Sequence, residues 1–329
     1  MKWFKLLIFL LLTVILASCS QHQYPSIPAD HNLAITVDIK DTTVTFVDLD
    51  TGEKLRQWKM DKPYIGGIML ADGDTLLLYG KQVETVDLFS LKEGKKVGSW
   101  ETGTGIVNGI QLKNKKEIAF TDQIQHAVRF FTLAGKENGK VTTKDNPLTL
   151  IEDEKSDSLF VISFSAAELS EIDLKKRQIV NGFSIHSSAA GALLKENGSE
   201  IWIGGHGEGA DIEKNIHVYD RATGKMIRKV SVPSMPISFA ERDGNVFVLS
   251  HGTNTLYKID EKTKITNSIK IGANPFDIKI FKDSIIVAGY DSNDVHIVNP
   301  DSLEIEKTIL VGKGPFQIIL RERLEHEQH

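Results

Sequence analysis

The densest group of side chains able to do chemistry lies in residues 204–215, GGHGEGADIEKN. His206, Glu208, Asp211 and Glu213 place four nitrogen or oxygen donors within eight residues. The four glycines permit the tight backbone turns that a hard-cation site uses. A divalent metal such as calcium is the one cofactor this pattern would take. Alternatively, the segment would close over a ligand as a lid. Its spacing matches neither an EF-hand nor a zinc motif, so the same residues also read as a solvated loop whose charges face water.

Other candidates stand singly. Asp122 with His126, His186 before Ser187-Ser188, His251, and Tyr290 with Asp291 all fall in polar connecting segments. The histidines could exchange a proton near neutral pH, although one polar residue in a polar loop is also ordinary surface. His217 and His296 sit among alternating apolar neighbours and read as packed or edge residues. No G-x-S-x-G, H-E-x-x-H or G-x-x-x-x-G-K-[ST] occurs, so the esterase, zincin and P-loop readings lose support and no catalytic residue is assigned. The end of the chain, His326 to His329, is one residue short of zincin spacing. Asn197-Gly198-Ser199 fits a glycosylation acceptor but is fully explained as a hairpin turn.

The elements that must position these residues repeat. Seven segments alternate apolar and polar residues and end in an apolar residue followed by Asp, Asn or Thr. They close at Asp48, Asp87, Thr132, Asp173, Asp220, Asp260 and Asn299, at separations of 39, 45, 41, 47, 40 and 39 residues. One four-stranded sheet per repeat has this period. The five Asp and one Asn among these have a mechanical role, because an Asx side chain can bond the backbone of the tight turn that follows. A second motif interleaves with the first: Gly or Pro precedes a short apolar strand at Gly67, Gly109, Pro147, Gly191, Pro236, Pro275 and Pro315.

Residues 33–37 read as a second strand with no first strand before it, and 316–320 as a first strand with none after it. The economical solution is all-β: a seven-bladed β-propeller of four-stranded antiparallel blades, its ring closed by the C-terminal strand joining the N-terminal blade. The G-x-x-P spacing and the V-x-V-D-x-x-T-G strand and turn resemble the YVTN family of such propellers over about residues 33–320. The tetrapeptide itself is replaced by variants such as Ala119-Phe120-Thr121-Asp122. In this architecture the loops between blades and those joining second to third strands share one face, which is the expected site. The resemblance also implies an alternative function, a metal-dependent lactonase-like hydrolase at the central channel. Asp122, His206, Asp291 and His186 would have to converge there.

The N-terminus reads as an address. Lys2 and Lys5 precede an apolar run from Leu6 to Ala17, too short to span a bilayer, which needs roughly 20 apolar residues. Leu16-Ala17-Ser18-Cys19 resembles the lipobox of bacterial lipoproteins, which implies a diacylglycerol and palmitate on Cys19, the only cysteine of the chain. The expected organisation is a signal peptide over 1–18, a lipidated Cys and tether over 19–31, the propeller over 32–321 and a charged tail over 322–329. The expected location is the extracytoplasmic face of the cell membrane.

Apolar residues make up 41% and charged residues 25% of the 329, as in an ordinary globular protein. Removal of residues 1–18 leaves 37 Lys and Arg against 44 Asp and Glu, a charge of −7. That balance argues against a nucleic-acid partner, which clustered cations would attract. The expectation is a monomeric binding or scaffold module for a protein or cell-envelope ligand, with the membrane engaged through Cys19.

Overall fold

The computed structural model describes residues 23–153 and 155–324. Cys19, the leader and residues 325–329 lie outside them. Among the described residues, seven four-stranded antiparallel sheets form the ring, with one two-stranded hairpin beside it. Blade one takes Leu33–Asp38, Thr43–Asp48 and Glu53–Lys59 from the N-terminal side and Pro315–Arg321 as its innermost strand. Blades two to seven follow as 66–101, 106–142, 147–184, 189–231, 236–270 and 275–310. The register Leu33 to Arg321, Ile35 to Ile319 and Val37 to Gln317 closes the ring as expected. Each innermost strand also touches the innermost strands of both neighbouring blades.

Burial follows position within a blade. The second strands are covered by neighbouring blades on both faces, so they carry unbroken apolar runs such as Ser284–Gly289, SIIVAG, rather than alternation. The outermost strands, such as Gln178–Ser184, are largely exposed. Apolar side chains consequently gather in one layer per blade junction. Ile68, Leu77 and Val86 of blade two meet Ile118, Phe120 and Phe131 of blade three, and Ala34, Val47 and Ile318 of blade one meet Ile286, Val295 and Ile309 of blade seven.

The turn mechanism read from the repeats is present at the third strands. Asp48 Oδ1 accepts from the N–H groups of Asp50 and Thr51 at 2.8 and 3.1 Å, and Asn299 Oδ1 accepts from Asp301 and Ser302 at 2.9 and 3.1 Å. The second repeat needs correction. Its third strand is Thr85–Ser90, and Ser90 Oγ, not Asp87, takes the turn position by accepting from Glu93 N at 3.0 Å. Asp87 is instead buried within the strand, held by Lys62 at 2.6 Å, Lys96 at 2.8 Å and Ser99 at 2.6 Å. Burial opposes its ionisation, yet these partners hold its carboxyl well below the usual range.

The N-terminal approach also differs from the expected tether over 19–31. From Tyr24 onward the segment is docked: Tyr24 N donates to Gly94 O at 2.6 Å and Ile27 N to Leu91 O at 2.8 Å. The Tyr24 ring stacks on Trp58 at 4.8 Å, and Ile27 is buried. The apolar content of this short stretch is enough to pin it, which its polar composition concealed.

Candidate functional site

The inner strands are bulged, and the bulges build the channel. Register shifts between Ile106 and Asn108, Pro147 and Thr149, Ala189 and Gly191, Pro236 and Ser238, Pro275 and Asp277, and Pro315 and Gln317 leave one residue unpaired in each of six blades. Such a residue is re-aimed out of the ladder. Val107, Leu148, Ala190, Ile237, Phe276 and Phe316 therefore line a central cavity of about 370 Å³, together with Ile65 of the remaining blade. The next residue in several strands is polar and ties one blade to the next. Asn108 Nδ2 donates to Leu148 O at 3.0 Å, Thr149 Oγ1 to Ala190 O at 2.5 Å, Ile318 N to Asp277 Oδ2 at 2.8 Å, and Gly67 N to Gln317 Oε1 at 2.7 Å. Lys279 lies 3.3 Å from Asp277, so the channel's two charges offset each other.

A second set of equivalent positions rims the mouth. In six blades the residue just after the second strand donates its N–H to the carbonyl just before the innermost strand of the same blade. The donors are Ile39, Gln123, Phe164, His206, His251 and Tyr290, at 2.9 to 3.2 Å. Four consecutive blades place an aromatic ring there. Phe164 meets His206 at 6.4 Å, His206 meets His251 at 5.6 Å, and His251 meets Phe276 at 5.8 Å. Phe276 lies 4.4 Å from Phe316 and 5.9 Å from Tyr290. The result is an arc of six half-buried rings over the cavity, from blade four round to blade one. Burial lowers the pKa of His206, and burial followed by the neighbouring His206 lowers that of His251. Both imidazoles are thus neutral at pH 7. His251 Nδ1 is buried with no hydrogen-bond partner.

Of the residues expected from sequence, the structure brings His206, His251 and Tyr290 together in this arc. Asp291 lies beside it, bonded to Lys40 at 2.6 Å and to Asn274 at 3.0 Å, and Lys40 sits 4.2 Å above the Tyr290 ring. Asp122 is not at the channel. It is fully buried, with Oδ1 accepting from Ile124 N and Gln125 N and Oδ2 paired to Arg129 at 2.9 Å. His126 is exposed, 3.6 Å from Asp145.

Residues 206–214 form a small hairpin, Gly207–Glu208 pairing with Asp211–Ile212, and its carboxylates diverge. Glu208 accepts from Ser187 at 3.0 Å, Asp211 is exposed, and Glu213 contacts His217 at 3.1 Å. His186 stacks on His217 at 4.2 Å, with neither ring nitrogen hydrogen-bonded. Burial, then His217, brings the His186 pKa down to about 4. Among the described residues no group of three or more His, Cys, Asp or Glu is placed to hold a metal ion. His296 is packed, as expected, between Thr308 at 3.0 Å and Asp294 at 3.1 Å.

Sequence reasoning missed Phe164, Phe276 and Phe316. Strict superposition of the repeats would have found them, since Phe276 and Phe316 each follow the proline that opens an inner strand, and Phe164 occupies the same position as His206. The arc offers ring faces for stacking, neutral imidazoles for hydrogen bonding and an apolar collar beneath. That is the chemistry of a site that holds a ring-bearing or apolar group.

No protein-family model matches the sequence, and no curated protein shows significant similarity to it. Solved structures do. A functionally unknown protein of Desulfotomaculum acetoxidans superposes with a TM-score of 0.74 at 11% identity, over 89% of this chain and 100% of that one. Kuenenia stuttgartiensis hydrazine synthase gives 0.71 at 13% identity, over 87% and 99%. AztD of Citrobacter koseri gives 0.61 at 13% identity, over 88% and 98%. At these identities the likeness is one of fold, the seven-bladed propeller.

Proposed function

We propose that the chain is a lipid-anchored, extracytoplasmic binding module of the YVTN type. In this reading Cys19 carries the lipid, and the aromatic mouth of the channel receives part of a protein or cell-envelope ligand. The observation that carries it is the arc of Phe164, His206, His251, Phe276, Tyr290 and Phe316 over an open cavity. Six rings held half-exposed at symmetry-related places give a rigid surface that recognition uses and fold stability does not require. The lipobox-like Leu16-Ala17-Ser18-Cys19 supports anchoring, and the negative charge disfavours nucleic acid. The lactonase-like reading needs donors from different blades on one ion, and no arrangement of the described residues favours it over binding.

Thermal denaturation in the presence of fractionated cell-envelope peptides and glycans tests the proposal, since a ligand that binds only the native state raises Tm. A fraction should stabilise the wild-type chain and fail to stabilise a Phe276→Ala/Phe316→Ala variant. Equal stabilisation of both would remove the mouth from the binding site. Elemental analysis of the same preparation, with one equivalent of metal lost on chelation, would move the reading to the hydrolase.

A further inference from the structure

Resting on the reading of the mouth above, we propose that the channel takes a ring-bearing monocarboxylate, with its ring beneath the aromatic arc and its carboxylate on the ammonium of Lys279. The sevenfold register isolates that lysine. The positions equivalent to Lys279 on the other six innermost strands are Ile68, Ile110, Ile151, Leu193, Ala240 and Ile319. All six are aliphatic, as the layer between blades requires, so a cation at the seventh is not a demand of the fold. The lysine's aliphatic stem can fill the space of an isoleucine while its ammonium is carried out of the apolar layer. Asp277 Oδ1 lies 3.3 Å from Nζ and belongs to a residue two positions nearer the mouth, so the ammonium is drawn up the channel. Asp277 directly follows Phe276. The positive charge is therefore held about one residue's rise, roughly 3.3 Å, below the point where the Phe276 ring leaves the backbone.

The offset between the two charges leaves the lysine, and not the aspartate, with hydrogen bonds to give. Asp277 accepts from Ile278 N at 2.9 Å and from Ile318 N at 2.8 Å, so both its oxygens are engaged. Lys279 Nζ makes no hydrogen bond among the described residues, and its side chain is 42% exposed. It is also the one lysine or arginine among the described residues that line the cavity. Two further groups at the level of Asp277 are free to bond a ligand. Asn108, Thr149, Asp277 and Gln317 each tie their blade to the next, whereas Ser238 Oγ of blade six has no partner. Gln317 makes its tie through Oε1, which leaves Nε2 unbonded. Ser238, Lys279 and Gln317 belong to consecutive blades six, seven and one and line the same cavity, beneath the rings of Phe276 and Phe316. The unused groups on this side are chiefly donors, which suits an acceptor-only carboxylate. Asp277 limits the charge, because beside it a single ammonium accommodates one negative charge and disfavours a doubly charged phosphate. A free aryl acid and the aromatic C-terminal residue of a peptide both present this chemistry.

The test is calorimetric titration of the full chain. The probes are 3-phenylpropionate, its neutral counterpart 3-phenylpropanol, and the peptide Gly-Gly-Phe with its C-terminal amide. The wild-type chain should bind each acid at least ~10-fold more tightly than its neutral partner, as a charge-assisted hydrogen bond to an ammonium requires. Lys279→Met keeps the stem in the aliphatic layer and should bring the acids down to the affinity of their neutral partners, which stays unchanged. Lys279→Arg should restore the preference. Binding of neither acid, equal affinity for acid and neutral partner, or a preference that survives Lys279→Met overturns the proposal, and the first two outcomes need no variant to fold. The Phe276→Ala/Phe316→Ala variant distinguishes this failure from failure of the mouth. Probes that bind that variant as well as wild type remove the mouth from the site, whereas probes that lose affinity there without any acid preference leave the mouth standing and overturn only the carboxylate. Tighter binding of Gly-Gly-Phe than of 3-phenylpropionate assigns the acid to a peptide terminus, and the reverse order assigns it to a free aryl acid.

Discussion

Asp122 and His186 have the residue types of a reactive site and the surroundings of a structural one. Asp122 is completely buried, and Arg129 links it to Glu137 at 2.6 Å and to Thr102 O at 2.7 Å. Arg129→Met would strand a buried carboxylate, so urea unfolding should show a loss of about 3–5 kcal/mol, with partial recovery in Arg129→Met/Asp122→Asn. A loss under about 1 kcal/mol would mean that the pair is solvated. His186 has a folded pKa of about 4, below its ordinary 6.5, so the unfolded chain binds more protons between those values. Stability should then fall as pH drops from about 7 towards 4, by about 2 kcal/mol at pH 4.5 from this group. His186→Phe keeps a ring on His217 and removes the titration, so its Tm advantage over wild type should grow as pH falls. An advantage independent of pH would show that His186 is not the proton acceptor. Residue types alone could not separate these roles from the arc formed by His206, His251 and Tyr290. Which residue of an inner strand faces the channel depends on a bulge, which strand periodicity alone does not place.

Strands and turns were far more legible, because each rests on a local rule that repeats seven times. Side chains that accept from turn amides were readable at Asp48, Asp173, Asp220, Asp260 and Asn299, whereas Ser90 in place of Asp misaligned the second repeat by three residues. Glycine at the inner strand of blade five has a reason that only packing reveals. A Cβ on Gly191 would come 1.8 Å from the carbonyl oxygen of Ile237, on the neighbouring innermost strand. Gly191→Ala should force blades five and six apart and cost about 1–3 kcal/mol in chemical denaturation. Gly98, on the exposed outer strand of blade two, meets nothing closer than 3.7 Å, and Gly98→Ala should be neutral or slightly stabilising. Equal costs at both positions would contradict close approach of the innermost strands.

At the scale of the whole molecule, ring closure was foreseeable because the chain ends supplied complementary strands. The docking of residues 24–32 was not, since a few buried side chains in a polar stretch leave no periodicity. The closed ring makes the two faces inequivalent: one presents six rings over a cavity, the other the turns on which the N-terminal segment docks. The central claim is that the ringed face is where this molecule recognises its ligand. Photo-crosslinking in living cells addresses it most directly, with p-benzoylphenylalanine replacing Phe164 or Tyr290 at the mouth, or the exposed Ile305 on the outer strand of blade seven. The account predicts discrete adducts from both mouth positions, abolished by Phe316→Ala, and none from the Ile305 position. Adducts from the Ile305 position with none from the mouth would contradict it.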